Sequence, residues 1–307
     1  MRILVIGLGV QGIKRVKVAG SDVSATVDPQ NPSADFKLID DVPLNAYDAA
    51  IVCTPDLEKL RIIRYLLVND KHVLVEKPLW AGSKFDLKGL AALLTEKSNL
   101  VLKTAYNHRF EPNFIEMKNL IQSGELGKLY SCRMFYGNGT AELVRNSEWR
   151  DRGAGVLSDL GSHLLDTCFF WFESNDFNFK TLASNNYENL SPDHVIISSE
   201  SPLPRIELEM TLCMWRNHFT CDIIGSQGSA HIESLCKWGP SKFTHRRRIF
   251  PAGKPLETEI VQSMDDPTWK LEYENFRTSI EVGKKDTLDK DIWLYDTLKE
   301  LEKFIVV

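Results

Sequence analysis

Apolar positions in the first hundred residues come as short unbroken runs. "RILVIG" (2–7), "DVSATVD" (22–28), "DAAIVCT" (48–54), "KHVLVE" (71–76) and "NLVLKTAY" (99–106) each predict a strand. Runs without alternation belong to strands covered on both faces. Between them "DLEKLRIIRYLLVND" (56–70) and "DLKGLAALLTEKS" (86–98) carry apolar residues at helical spacing. Strands alternating with helices predict a doubly wound parallel sheet, an α/β domain over residues 1–105. After Tyr106 the pattern changes. "PNFIEMKNLIQSG" (112–124) predicts a helix that turns at glycine into a strand, "KLYSCRMFYG" (128–137). "RIELEMTLCMW" (205–215) alternates strictly, with Ile206, Leu208, Met210, Leu212 and Met214 on one face. "FTCDIIGSQGSAHIES" (219–234) reads as a hairpin around Gly225 and Gly228. One-faced alternation predicts a large, mainly antiparallel sheet, packed on one side and open on the other. Helices near 267–282 and 288–304 close an α+β domain over residues 106–307.

One helical segment carries a stripe that its apolar surroundings do not call for. In "GVLSDLGSHLLDTCFFWF" (155–172) Leu160, Leu164, Cys168, Phe169 and Phe172 are core-like, yet Asp159, His163 and Asp166 share a face at i, i+4 and i+7. Alone, that spacing fits a solvated edge whose ion pair is worth about 0.3–0.5 kcal/mol. Such spacings are common by accident, and only the rest of the chain turns the reading toward a line of groups that hold and move protons.

Composition narrows the choice. The chain has 307 residues, 43% hydrophobic and 26% charged, an ordinary globular make-up with length for two domains. Its net charge of -5 argues against nucleic acid or an anionic membrane as partner. The N-terminal "MRILVIGLGVQG" is too short and too glycine-interrupted for a signal sequence, and no run reaches the roughly 18 apolar residues of a membrane span. The six cysteines are scattered, without a C-x-x-C pair or zinc spacing, which predicts buried thiols in a reducing compartment, the cytoplasm. No histidine arrangement suggests a metal site.

Several motifs carry chemistry. "VIGLGVQG" places Gly7, Gly9 and Gly12 in G-x-G-x-x-G spacing after the first strand, with Val10 and Gln11 opening the next helix. The first glycine permits a tight turn, the second lets a pyrophosphate reach the backbone, and the third allows close helix–strand packing. Asp28 ends the second strand, where a carboxylate binds both adenosine ribose hydroxyls. It would repel a 2′-phosphate, so the expected cofactor is NAD rather than NADP. Cys53, Thr54 and Pro55 end the third strand and either line the nicotinamide side or build a strand-to-helix turn. Glu76 and Lys77, in "VEKPL" (75–79), stand at the carboxyl end of an apolar strand, where open α/β sheets bind ligands. "YGNGTAELVRNSEWRDRG" (136–153) is a long polar loop, of the kind that is functional or disordered. Its Trp149, Arg150 and Arg152 point to sugar or phosphate contacts. "HRRR" (245–248) reads as a solvated strand rather than a diphosphate grip.

The glycine loop, the strand-ending Asp, C-T-P, E-K-P, "NHRFEP" (107–112), "GELG" (124–127) and the D-x-x-x-H helix occur in that order. In that order they resemble the Gfo/Idh/MocA family (glucose–fructose oxidoreductase, inositol dehydrogenase, rhizopine catabolism) along essentially the whole chain. The resemblance implies a catalytic group of Lys77, Asp159 and His163, and substrate contacts from Asn107 and Arg109. Where the family often has three glycines before the helix, this chain has "RGAG" (152–155). The implied activity is hydride transfer between NAD and a secondary hydroxyl or ketone of a sugar, polyol or nucleotide-sugar. His163 would take the hydroxyl proton, Lys77 would hold the substrate oxygen, and Asp159 would orient the imidazole or bind a neighbouring hydroxyl. In the family it resembles, the open sheet face commonly makes homo-oligomers, so the resemblance implies a homo-dimer or tetramer. Two other functions fit the same motifs: an NAD-dependent glycosidase, which would release no NADH, and a non-catalytic dinucleotide-binding regulator.

Overall fold

The unbroken apolar runs of the N-terminal region form strands buried on both sides. In the computed structural model, which describes residues 1–147, 150–200, 203–284 and 287–305, the chain divides into two compact units. The first comprises residues 1–107 and 268–295. Its strands β1 (Ile3–Ile6), β2 (Val23–Val27), β3 (Ala49–Val52), β4 (His72–Glu76) and β5 (Leu102–Ala105) are parallel, in the order β2-β1-β3-β4-β5. Helices α1 (Val10–Ala19), α2 (Asp56–Val68) and α3 (Lys84–Glu96) connect them. The side-chain period of two sends Leu4 and Ile6 into one core and Ile3 and Val5 into the other. Ser83 starts α3 with a capping box: its hydroxyl accepts from Asp86 N and the Asp86 carboxylate accepts from Ser83 N.

The change of pattern after Tyr106 predicts a boundary at residue 105, with everything after it in the second domain. The structure instead groups 268–295 with the first unit. Tyr273 and Phe276 of α7 (Thr268–Glu281) fill the core that holds Ile3, Val5 and Ile51. Leu288 and Tyr295, flanking and within α8 (Asp289–Glu302), join the other. A buried strand needs cover on both faces, and local periodicity does not say which distant helix supplies it.

The second unit, residues 108–267 and 296–307, holds an eight-stranded sheet in the order β13-β12-β11-β10-β6-β9-β8-β7. Its strands are β6 (Leu129–Gly137), β7 (Phe179–Asn185), β8 (His194–Ser199), β9 (Arg205–Thr211), β10 (His218–Gly225), β11 (Gly228–Glu233), β12 (Ser241–Ile249) and β13 (Gly253–Gln262). Every pairing is antiparallel except β6 with β9. Cys132, Met134, Ile206, Leu208, Met210, Phe219, Cys221 and Ile223 are buried on one face. The other carries polar cross-strand pairs, Arg133–Glu207 (3.0 Å) and His231–Asp222 (2.5 Å). Helices α4 (Pro112–Ser123), α5 (Ala141–Arg145) and α6 (Ser162–Phe172) complete the unit. Phe114 of α4 meets both Phe219 and Trp171, and the Trp171 indole donates to the Phe114 carbonyl at 2.9 Å.

Two local expectations are corrected. β9 ends at Thr211, so Met214 leaves the alternating stripe and rests half-buried against Gly137. The segment 155–172 is not one α-helix: Leu157–Gly161 is a turn of π-helix running into α6. At Gly161 a β-carbon would stand 2.8 Å from the Met210 sulfur, so the missing side chain lets this turn lie close on β9.

Candidate active site

The predicted site residues are divided between the two units. In the first, Gly7 (φ +90°) makes the turn leaving β1, and a β-carbon there would stand 2.7 Å from the Cys53 carbonyl oxygen. Gly12 presses α1 onto that turn; its β-carbon would fall 1.8 Å from the Gly7 carbonyl oxygen. Gly9 differs, with nothing within 4 Å of the position a β-carbon would take. It precedes α1, whose N-terminal N–H groups receive no side-chain cap from the described residues, and Val10 is 74% exposed. An uncapped helix start behind an open glycine suits a phosphate. The Thr54 hydroxyl is buried with no hydrogen-bond partner among the described residues, and Pro55 caps α2. These features fit the pyrophosphate and nicotinamide side of NAD.

Asp28 closes the loop from β2. One carboxylate oxygen accepts from Leu8 N at 2.7 Å, and the other accepts from Gln30 N and Asn31 N, both at 2.8 Å. Burial would raise its pKa, but these backbone donors, with Lys37 nearby, bring it below the ordinary value.

Glu76 and Lys77 receive support the sequence did not reveal. Arg15 of α1, 1% exposed, is held by Glu76 (2.7 Å) and Glu272 (2.6 Å) and lies 4.2 Å from the Trp269 ring centroid. Cys53 lies close by, its thiol pushed up by burial and then by the charge of Glu76. Buried Lys59, paired with Asp56 at 2.7 Å, donates to the Lys77 and Pro78 carbonyls at 3.5 and 3.0 Å. Asn107, expected at substrate, is 8% exposed and donates its amide to the Thr268 hydroxyl at 2.7 Å.

The second unit gathers Asp159, His163 and Asp166, but not as three equivalents. Asp159, on the π turn, keeps 37% of its side chain exposed and meets Arg150 at 3.4 Å. His163 is 8% exposed and Asp166 1%. Asp166 binds Arg109 through two prongs, 2.7 and 2.8 Å, so its role is to hold that arginine. His163 stacks on His108, with ring centroids 4.2 Å apart and planes at 22°. Tyr136 of β6 stands edge-on to His163 at 6.2 Å and beside Trp238 at 5.8 Å. Burial, then the charges of Asp159 and Glu111, hold its phenol well above the usual range, so it remains a hydroxyl donor.

The loop before the helix is clamped from below. Asp151 accepts from Leu190 N, Ser191 N and the Ser191 hydroxyl, and a β-carbon on Gly155 (φ +48°) would meet the Pro192 carbonyl at 2.2 Å. Trp149 lies outside the described residues. "HRRR" lies on β12, where Arg246 pairs with Glu257 and Arg247 with Glu125, as a solvated strand would. Among the described residues no group of three or more His, Cys, Asp or Glu side chains is placed to hold a metal, and no helix is long and apolar enough to cross a membrane.

His108, Tyr136, Arg15 and Lys59 escaped the sequence reading. His108 had a signal, standing between two residues singled out in "NHRF". The others look like ordinary strand or helix positions until the fold brings them together.

Known protein families match both parts of the chain. Residues 1–105 match the oxidoreductase family with NAD-binding Rossmann fold, and residues 114–231 match the GFO/IDH/MocA C-terminal domain. Glucose-6-phosphate 3-dehydrogenase of Bacillus subtilis (strain 168) is 27% identical over 145 residues, 46% of this chain and 41% of that protein. The chain thus matches less than half the length of that relative. Trans-1,2-dihydrobenzene-1,2-diol dehydrogenase of Oryctolagus cuniculus is 23% identical over 268 residues, 85% of this chain and 79% of that one. A levoglucosan dehydrogenase solved in complex with NADH has the same fold, with TM-score 0.82 at 18% identity, covering 99% of this chain and 97% of that chain. With both of its domains matched, this chain belongs to the Gfo/Idh/MocA oxidoreductase family and carries its NAD-binding Rossmann domain.

Proposed function

We propose that the protein is an NAD-dependent dehydrogenase acting on a secondary hydroxyl of a sugar, polyol or nucleotide-sugar. The observation that carries this is the polar pair Asp159 and His163 at the start of an otherwise apolar helix, gathered with Arg109, Arg150 and Tyr136. Bound NAD supplies the hydride acceptor; Gly7, Gly9, Val10, Gln11 and Gly12 hold its phosphates, with Cys53, Thr54, Pro55 and Glu76 around the nicotinamide side. Asp28 selects NAD, since its carboxylate would face a 2′-phosphate. His163 takes the hydroxyl proton as general base. Lys77 holds the substrate oxygen and stabilises negative charge developing there. Asp159, half open to solvent, accepts from a neighbouring hydroxyl, and Arg109 and Arg150 donate to others. The relatives' activities, on glucose 6-phosphate and scyllo-inositol among them, favour this substrate class.

Screening levoglucosan, scyllo-inositol, glucose 6-phosphate and nucleotide-sugars with NAD, by NADH absorbance, tests the reading. With the best substrate, His163→Ala and Lys77→Met should each lose roughly 10²–10⁴-fold in turnover while NAD affinity holds. A folded His163→Ala protein with near-native turnover removes the mechanism. The six cysteines are free thiols, which supports a cytoplasmic setting. The open sheet face, with Ile224 and Val261 exposed, supports a homo-dimer or tetramer, checked by light scattering.

A further inference from the structure

The turn at 107–110 grips the helix at two adjacent points. Arg109 holds Asp166, and His108 lays its ring against His163. Residues three apart are neighbours on a helix surface, so two consecutive side chains of the turn meet two neighbouring positions of α6. His108 is itself well fixed. It is 2% exposed, with Phe114 edge-on at 5.9 Å, Tyr136 at 5.4 Å, and the Lys237 Nζ 3.4 Å from its Nε2. An ammonium only donates, so Nε2 accepts and the ring proton of His108 sits on Nδ1.

His163 needs such support. The torsion that turns an imidazole about its β-carbon is broad and two-fold, so the backbone alone does not choose a ring plane. The bond from the Thr167 hydroxyl to the His163 carbonyl, 2.8 Å, is made to the main chain rather than to the ring.

We propose that His108, held by Lys237, is a positioning residue for His163: its ring backs the imidazole and sets the plane in which His163 meets a substrate hydroxyl. The proposal rests on His163 being the general base. Stacked rings fix an angle, whereas an aliphatic side chain of similar volume fills space and lets the imidazole turn. Misplacing a reacting group by about 1 Å costs on the order of 10²-fold in rate.

The test uses the whole protein with isotope-labelled histidine, the His163 signal being identified by its loss in His163→Gln. His108→Phe keeps a flat ring against His163, and His108→Leu fills similar space without one. The native and Phe proteins should share one sharp, ring-shifted His163 signal, and Leu should move it toward free histidine. This arm needs no substrate. With NAD and whichever of levoglucosan, scyllo-inositol or glucose 6-phosphate the native protein oxidises, His108→Leu should lose about 10²-fold in kcat at unchanged NAD affinity. His108→Phe should stay within a few-fold of native. If both variants match native spectra and turnover, His108 is filler and the proposal is overturned. If neither folds, Lys237→Met decides: it leaves both rings in place and should shift the His108 nitrogens away from the Nδ1-protonated pattern and broaden His163. Unchanged spectra there overturn the proposal as well. An active His163→Ala is a separate failure, which removes the general base but leaves the spectral comparison of ring orientation standing.

Discussion

Replacing Arg15 with methionine should be among the most costly single changes in the first unit. The guanidinium is 1% exposed and reaches Glu76 through two nitrogens (2.8 and 2.7 Å) and Glu272 through a third (2.6 Å). Burial works against its charge, but Glu272 and Glu76 outweigh that and raise its pKa. Methionine keeps much of the stem's packing, so the loss is electrostatic. Taking one partner from a buried pair costs about 3–5 kcal/mol, because the charge left behind stays desolvated. Here two carboxylates are left, at side-chain exposures of 13% and 5%. A domain's whole stability is about 5–15 kcal/mol, so the variant should unfold at a much lower urea concentration, read by tryptophan fluorescence at pH 7. The mechanism has a pH signature. In the variant, the folded state gains by protonating one stranded carboxylate, so it binds more protons than the unfolded chain at pH values above the ordinary carboxylate range. Its stability deficit should therefore shrink as pH falls through that window. Adding Glu76→Gln and Glu272→Gln should restore most of the loss at pH 7, since the cost lies in stranded charge rather than in the missing pair. A deficit under about 1 kcal/mol, or one equally large at pH 5 and in the triple variant, refutes the reasoning.

Gly9→Ala should leave the melting temperature near native, having open space for its methyl, yet weaken NAD binding in calorimetry, whereas Gly12→Ala should destabilise the fold itself by about 1–3 kcal/mol through its clash with the Gly7 carbonyl. Asp28→Ser should narrow the preference for NAD over NADP in parallel titrations; tighter NADP binding to the native protein would reverse the assignment. Asp151 has a depressed pKa: burial opposes its charge, but the Ser191 and Leu190 donors prevail. Its contribution is therefore complete above the unfolded value of about 3.9 and lost as pH falls through the lower folded value. Asp151→Asn should cost about 1–3 kcal/mol at pH 7 and flatten the acid limb of urea-midpoint-against-pH curves.

The parallel sheet is legible because its strands are apolar without interruption, and the hairpin because Gly225 and Gly228 bracket a two-residue turn between alternating runs. Both signals are local. The return of 268–295 to the first unit is not local: Tyr273 and Phe276 look like any amphipathic helix face, and the residues they cover, Ile3, Val5 and Ile51 among them, lie well over a hundred residues away. The glycine loop and E-K-P are legible as motifs, but the buried cation beneath them is not. Arg15 reads as the polar side of an exposed helix until Glu76 and Glu272 are placed around it.

The Asp159–His163–Asp166 stripe shows how spacing can name the right residues while misjudging their roles. A straight α-helix would make the three equivalent. Instead the π turn at Leu157–Gly161 separates Asp159, which stays open to solvent, from His163 and Asp166 behind it. Such turns carry an extra residue per hydrogen-bonded ring and persist where tertiary contacts hold them. Here the contacts are identifiable: Gly161 against Met210, Gly155 against Pro192, and Val156 N donating to the Pro192 carbonyl at 2.8 Å. Each lies between segments distant in sequence, and none leaves a periodic mark. The same turn divides the work of the stripe, leaving one carboxylate where a hydroxyl can reach it, sinking the imidazole among rings, and committing the last carboxylate to Arg109.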